Sequence, residues 1–156
     1  VRYLAGCDAD EIYVQSAVLV DPAIGEAGDV DTAVITLKME NGALAVIDNS
    51  RKAVYGYDQR AEVFGSGGMV ATSNDTPSTA VISNAQGVTG EKPLYFFLER
   101  YTGSFSKEVE LFVDAIEKDT DTPLGVMDGL KPVLMGLAAK KSVEEKRPVK
   151  ISEILF

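Results

Sequence analysis

Val30-Asp31-Thr32-Ala33-Val34-Ile35-Thr36-Leu37-Lys38-Met39-Glu40-Asn41-Gly42-Ala43-Leu44-Ala45-Val46-Ile47-Asp48 is the stretch on which the fold turns. Ala33, Ile35, Leu37 and Met39 alternate with other residues, the period of a strand with one face inward. Asn41-Gly42 then separates two apolar runs. Asn-Gly in that setting signals a hairpin, because both residues accept φ > 0. The chain is therefore expected to return over 43–48, antiparallel to what precedes it.

Working outward, residues 11–20 read as a long strand with Ile12, Val14, Val18 and Val20 on one face. Asp21-Pro22 ends it, and Gly25 and Gly28 fall in the loop that follows. Downstream, 60–65 and 69–72 are expected to pair across Gly65-Ser66-Gly67-Gly68, and 79–83 and 94–97 complete a run of strands on short connections. Strands so connected pair antiparallel, as a meander. Two helices follow. Phe105, Val109, Phe112 and Ile116 recur at helical spacing behind Ser104 as N-cap, with Leu111 and Ala115 widening the stripe. The second helix begins near Asp128, carries Pro132 in its first turn and stops before Pro148. Leu130, Val133, Leu134, Leu137 and Ala138 form its buried face, and Gly136 admits a close neighbour. A short strand at 149–151 returns to the sheet. The expected fold class is α+β: an open, mainly antiparallel sheet of about six or seven strands, with helices on one face. The uncovered face keeps Tyr13, Ala17, Leu19 and Val34, which points to a homo-oligomer, dimer or tetramer, formed through that face.

Composition sets outer limits. The chain has 156 residues, enough for one domain with its own core, and the opening Val1-Arg2-Tyr3-Leu4-Ala5-Gly6 reads as the end of a linking helix closed by a glycine. A chain that begins at the end of a helix suggests a piece of a longer protein. The net charge of −9 repels phosphate backbones and anionic lipid, so neither nucleic acid nor a membrane surface is an expected partner. A single cysteine, Cys7, fits a reducing, cytoplasmic setting and reads as a small packing residue. Histidine is absent, which removes His-based triads and His metal sites, and no metal site is expected. Gly65-Ser66-Gly67-Gly68 opens no helix, so it reads as a tight turn and not as a dinucleotide loop. Asp29 and Asp31 lack the rest of a calcium loop and read as a solvated strand entrance. Asn74-Asp75-Thr76 matches a glycosylation sequon by chance.

The densest polar and aromatic stretch runs from Asp48 to Arg60. Tyr55 and Tyr57 are two apart, so in extended structure they face the same way, with Asn49, Arg51 and Gln59 nearby. Such a set can hydrogen-bond a polyol. It can equally be a solvated connection with two half-buried tyrosines.

Asn49-Ser50-Arg51, Tyr55-Gly56-Tyr57-Asp58-Gln59-Arg60 and Glu62-Val63-Phe64-Gly65-Ser66, in that order, resemble the corresponding stretch of inositol 2-dehydrogenases of the Gfo/Idh/MocA oxidoreductase family. Phe96-Phe97-Leu98-Glu99-Arg100-Tyr101 resembles that family's lead-in to a helix. Asp128-Gly129-Leu130-Lys131 through Arg147-Pro148-Val149 resembles its ending. The resemblance covers essentially the whole of 1–156 and implies a C-terminal α/β substrate and oligomerisation domain. It also implies that an N-terminal Rossmann domain, absent from this chain, binds NAD(P) and carries the catalytic lysine of a Glu-Lys-Pro motif. An assisting Asp and His would lie at and just before the helix that ends at 1–6. Catalytic and cofactor-binding residues are thus expected in none of these positions, and no NAD on this chain. Glu91-Lys92-Pro93 repeats the letters of the catalytic motif in the wrong place. The implied activity of the parent is NAD-dependent oxidation of inositol to an inosose, with Tyr55 and Tyr57 touching the substrate ring while Asp58, Gln59 and Arg60 fix the loop and sheet edge. A related sugar or polyol dehydrogenase, or a non-enzymatic assembly module, are the competing expectations. Isomer preference and the choice of NAD over NADP would be set by the missing half.

Overall fold

The computed structural model describes residues 1–154, which form two compact units. The first comprises residues 1–52 and those from 124 onward; the second comprises Ala53–Pro123.

In the first unit a helical turn, α1 (Arg2–Ala5), is closed by Gly6 at φ 67°. Then come β1 (Ala9–Ala17), a short helix α2 (Pro22–Glu26), β2 (Thr32–Met39) and β3 (Leu44–Ser50). Between β3 and the last elements of this unit the chain passes through the second unit; those elements are α4 (Val126–Glu145) and β8 (Val149–Lys150), followed by a 3-10 turn at Ile151–Glu153. The sheet order is β3-β2-β1-β8, all antiparallel. The hairpin of β2 and β3 is there, but its loop is not a two-residue turn. Only Gly42 enters the left-handed region, at φ 85°. It donates to the Met39 carbonyl (2.9 Å), while the Met39 amide reaches Ala43 O (2.9 Å). That is a three-residue loop ending in a glycine bulge. Asn41 serves it through its side chain, accepting from Ala43 N (3.0 Å) and donating to Ala5 O (3.1 Å).

The core lies between this sheet and α4. Ile12, Val14, Leu37, Met39 and Val149 are buried on the sheet side and Leu134 and Ala138 on the helix side. Each large aliphatic removed from water here is worth roughly 1.5–3 kcal/mol. Ala9 joins the same face although its number is odd, because a register shift between Ala9 and Glu11 inverts the alternation. The strand ends at Ala17, so Val18 and Val20 leave the core and are exposed. The expected loop after Asp21-Pro22 is helix α2, with Asp21 capping Ala23 N at 2.9 Å.

The inward face of α4 is rotated from the expected one. Leu134, Ala138 and Ser142 are buried, whereas Leu130, Val133 and Leu137 are 42–56% exposed. The helix begins two residues before Asp128, whose carboxylate accepts from Gly125 N (3.0 Å), so Pro132 lies inside it and not in the first turn. Gly136 meets no atom within 4 Å of where a Cβ would stand. Asp31 is no solvated entrance: it is 4% exposed, and its carboxylate accepts from the amides of Leu19 and Val20 (both 2.8 Å) and Asp21 (3.0 Å) and from the Thr32 hydroxyl (2.9 Å).

The second unit contains two hairpins, β4 (Glu62–Gly65) with β5 (Gly68–Ala71), and β6 (Val81–Asn84) with β7 (Gly87–Gly90), followed by α3 (Phe97–Glu117). The single sheet of six or seven strands is therefore corrected to a main sheet of four strands and two separate two-stranded ribbons. Residues 94–97 are not a strand. The helix starts at Phe97, seven residues before Ser104, because the Glu99 carboxylate accepts from Tyr95 N (3.1 Å) and Phe96 N (3.4 Å). Of the two long helices, α4 packs on β1 and β8, and α3 belongs to the second unit. Among the described residues no helix is long and apolar enough to cross a membrane.

Candidate functional site

The chain from Tyr55 to Arg60 is pinned in the second unit by close backbone approach. Tyr57 N donates to Leu94 O (2.8 Å), and Leu94 N to Asp75 O (3.0 Å). At Gly56, φ is 143°, and a Cβ there would stand 2.7 Å from the Pro93 carbonyl oxygen. Only glycine allows that crossing. The same residue breaks the extended run, so Tyr55 and Tyr57 go to different partners and do not act as a simple pair.

Tyr55 donates its hydroxyl proton to the Asp58 carboxylate. Asp58 also accepts from Arg60 Nε (2.7 Å) and Nη2 (3.0 Å) and from Asn74 Nδ2 (2.6 Å). Its pKa lies well below the usual carboxylate range, held there first by Arg60, then by Tyr55 and Asn74. The same bond to an anion raises the Tyr55 phenol. Tyr57 sets its ring edge-on to Tyr101, centroids 5.9 Å apart, and Tyr101 stands 6.3 Å from Phe105. The Tyr57 phenol is raised by its hydrogen bond to Tyr101 and by burial. Tyr101 in turn donates to Gln59 Oε1.

Gln59 is the hub of this half. Its backbone N–H donates to Asn74 Oδ1 (2.7 Å). Arg100 grips it twice, Nε on Oε1 and Nη2 on the carbonyl O, both at 3.3 Å, and holds Asp75 through Nη1 at 3.1 Å. The first turns of α3 thus deliver Arg100 and Tyr101 to the tyrosine segment. Sequence reading named Tyr55 and Tyr57 and missed Asn74, Arg100 and Tyr101. The missed signal for Asn74 was the Asn-Asp-Thr triplet dismissed as a chance sequon: its amide bridges Asp58 and Gln59.

The arrangement offers three phenols, two amides and two guanidinium groups on a carboxylate frame, suited to hydroxyl-rich ligands. No cluster of three metal-binding side chains occurs among the described residues. Lys92 of the misplaced Glu-Lys-Pro triplet is exposed, beside the Pro93 that abuts Gly56. Cys7 is half-buried against the core of the first unit. A second polar cluster, in the first unit, ties α1 to α4: Asp8 accepts from Arg2 Nε (2.6 Å) and from Lys131, and Arg2 also reaches Asp128 (3.4 Å). These mutual ion pairs leave no cation unmatched there and read as a clasp.

Comparison with known proteins finds a family, two relatives and a solved structure. A profile described as the GFO/IDH/MocA C-terminal domain matches residues 1–71. A myo-inositol 2-dehydrogenase of Thermotoga maritima is 49% identical over 154 residues, 99% of this chain and 46% of that protein. An inositol 2-dehydrogenase of Rhizobium meliloti is 43% identical over 152 residues, 97% of this chain and 46% of that protein. Among solved structures, one titled as a probable dehydrogenase from Thermotoga maritima superposes with a TM-score of 0.96 at 49% identity, over 99% of this chain and 46% of that one. The chain spans about half the length of the curated relatives it matches.

Proposed function

The chain belongs to the GFO/IDH/MocA family as its C-terminal domain, and from that premise we propose that it is the substrate-binding and assembly part of an NAD-dependent inositol 2-dehydrogenase. The observation that carries the substrate is the cluster of Tyr55, Tyr57 and Tyr101 on an Asp58, Gln59 and Arg100 frame, in a chain whose near relatives are inositol dehydrogenases along almost its whole length. In this reading inositol is oxidised to an inosose. Its ring carbon gives a hydride to NAD and its hydroxyl a proton to a base; both the NAD site and the base lie outside this chain. The part played by these residues is to orient the ring, Tyr55 and Tyr57 being its contacts. Assembly uses the sheet face of the first unit turned away from α4, which carries Tyr13, Ala17, Val34, Leu44 and Val46.

The test is the full-length gene product supplied with NAD and a panel of myo-inositol, scyllo-inositol, other pyranoses and linear polyols. NADH formation with an inositol is the expected result. Turnover of another sugar, with none of any inositol, would move the assignment to a related polyol dehydrogenase. No turnover with any of them would favour a binding or assembly module. In the same protein Tyr57→Phe or Tyr55→Phe is expected to lower kcat/KM for inositol roughly two- to tenfold, the cost of one hydrogen bond to substrate, with the KM for NAD unchanged. Wild-type kcat/KM in both variants would remove these tyrosines from the site.

A further inference from the structure

We propose that Tyr55 and Tyr101 show their ligand oxygen lone pairs and no phenolic proton, so that they recognise hydroxyl groups only as hydrogen-bond donors; this rests on the polyol reading of the site. A phenol has one proton to give and can accept at its oxygen. The proton of Tyr55 is committed to Asp58, a carboxylate already accepting from Arg60 and Asn74, which as an anion can only accept. The proton of Tyr101 is committed to Gln59. There the orientation of the amide decides the direction, and Arg100 decides the amide: its Nε donates to the same Oε1 at 3.3 Å. Turning the amide round would set an NH2 against a guanidinium that has nothing to accept with. Gln59 therefore presents oxygen, and Tyr101 must be the donor. Tyr57 sets its ring edge-on against Tyr101, centroids 5.9 Å apart, and so backs the ring whose hydroxyl is committed. Each commitment polarises the phenol and strengthens its oxygen as an acceptor.

Gln59 and Arg100 are then positioning residues, and they set the sense of recognition. A ring hydroxyl lodged at these oxygens binds by donating. A carbonyl in the same place has no proton to offer and faces lone pairs instead. The ring carbon that becomes a ketone is therefore held away from the tyrosines, and they grip hydroxyls that the reaction leaves intact.

The experiment has two arms on the full-length gene product. In the first, myo-inositol analogues with one hydroxyl at a time replaced by fluorine are compared with the matching deoxy compounds. Fluorine takes the place of the oxygen but cannot donate. At the positions held by the tyrosines, the fluoro and deoxy compounds are expected to show the same rise in KM, about tenfold. The KM for NAD is expected to hold. Gln59→Met frees the Tyr101 proton and should shrink the fluoro penalty at one position. Gln59→Glu, which keeps an acceptor there, should restore it. Fluoro analogues that bind like inositol at every position would overturn the proposal. The second arm needs no substrate. With tyrosine carrying 13C at Cζ, NMR should show slowly exchanging hydroxyl protons on Tyr55 and Tyr101, the latter lost in Gln59→Met. Freely exchanging hydroxyls on both would overturn the proposal whatever the enzyme oxidises. Protected hydroxyls in a protein that neither binds nor oxidises any inositol would instead overturn the polyol reading, and the ligand named here with it.

Discussion

A methyl group at Gly56 would stand 2.7 Å from the Pro93 carbonyl oxygen, on a backbone at φ 143°. Neither the clash nor the conformation has a cheap escape, since the obstacle is backbone. Gly56→Ala is expected to destabilise the chain by about 1–3 kcal/mol. Urea denaturation measures this, and a loss below the error of the method would mean that the crossing at Pro93 is loose. Gly136 is the control: nothing lies within 4 Å, and it stands inside α4. Gly136→Ala should stabilise by about 0.5–1 kcal/mol. At Asp31, burial opposes the charge, yet the amides of Leu19, Asp21 and Val20 and the Thr32 hydroxyl outweigh it and bring the pKa to about 2. The unfolded chain would titrate this group near its ordinary value of about 4. Its stabilising effect is therefore complete above that value and is lost as pH falls towards 2. Asp31→Asn should be less stable than wild type at neutral pH and show a shallower loss between pH 4 and 2 in thermal melts. Equal slopes would show that the carboxylate is not held as described. The sequence placed Asp31 beside a strand, but four donors converging on it from three neighbouring amides and a hydroxyl are a tertiary fact without local spacing.

Among the elements, α4 does two jobs for β1. It supplies Leu134 and Ala138 to the core, and its Ser142 finishes the strand's hydrogen bonding. β8 pairs with β1 only at Glu11 and Ile12, so the Val14 amide lies past its end. Ser142 Oγ accepts from Val14 N (3.1 Å) and donates to Arg147 O (2.7 Å), fully buried. Ser142→Ala leaves both orphaned and is expected to cost about 1–3 kcal/mol, with amide exchange at Val14 rising ahead of Leu37. Unchanged exchange at Val14 would mean that water already satisfies it. The hairpin and both helices were legible because period and turn chemistry are local. The misplaced ends share one cause. Each helix begins at a carboxylate that caps amides before the apolar stripe, Glu99 in α3 and Asp128 in α4, so a stripe alone starts the helix late. β7 escaped notice because Gly87-Val88-Thr89-Gly90 offers no alternation, and the division into three sheets because strand partnership beyond a hairpin is not encoded in spacing. The site was half legible for the same reason: Tyr55 and Tyr57 sit in one motif, while Gln59 joins Arg100 and Tyr101 across 41 and 42 positions.

At the scale of the whole molecule, apolar burial on the sheet face turned away from α4 competes with charge. That face presents Leu44 at 82% and Val46 at 66% exposure, with Val34 and Tyr13 beside them. The register sets Val46 across from Thr36, Thr36 across from Tyr13, and Val34 across from Gln15, so the apolar groups lie on adjacent strands. A β-sheet covered on one side only, with branched aliphatics on the other, is the kind of surface that a second copy hides, and closed two-fold pairing lets the same residues serve both partners. Against this stands a net charge of −9 per chain. Salt decides between them: it screens repulsion over roughly 8–10 Å at physiological strength and leaves apolar burial intact. Under the proposed assembly the protein is expected to sediment as a dimer or tetramer at micromolar concentration, and to associate at least as strongly as salt is raised. Leu44→Lys with Val46→Asp, both on the exposed face, should shift it to monomer while leaving the melting temperature of the remaining fold near wild type. Association unaffected by that pair would put the interface elsewhere, and association that weakens with salt would make it electrostatic, contrary to the face chosen here.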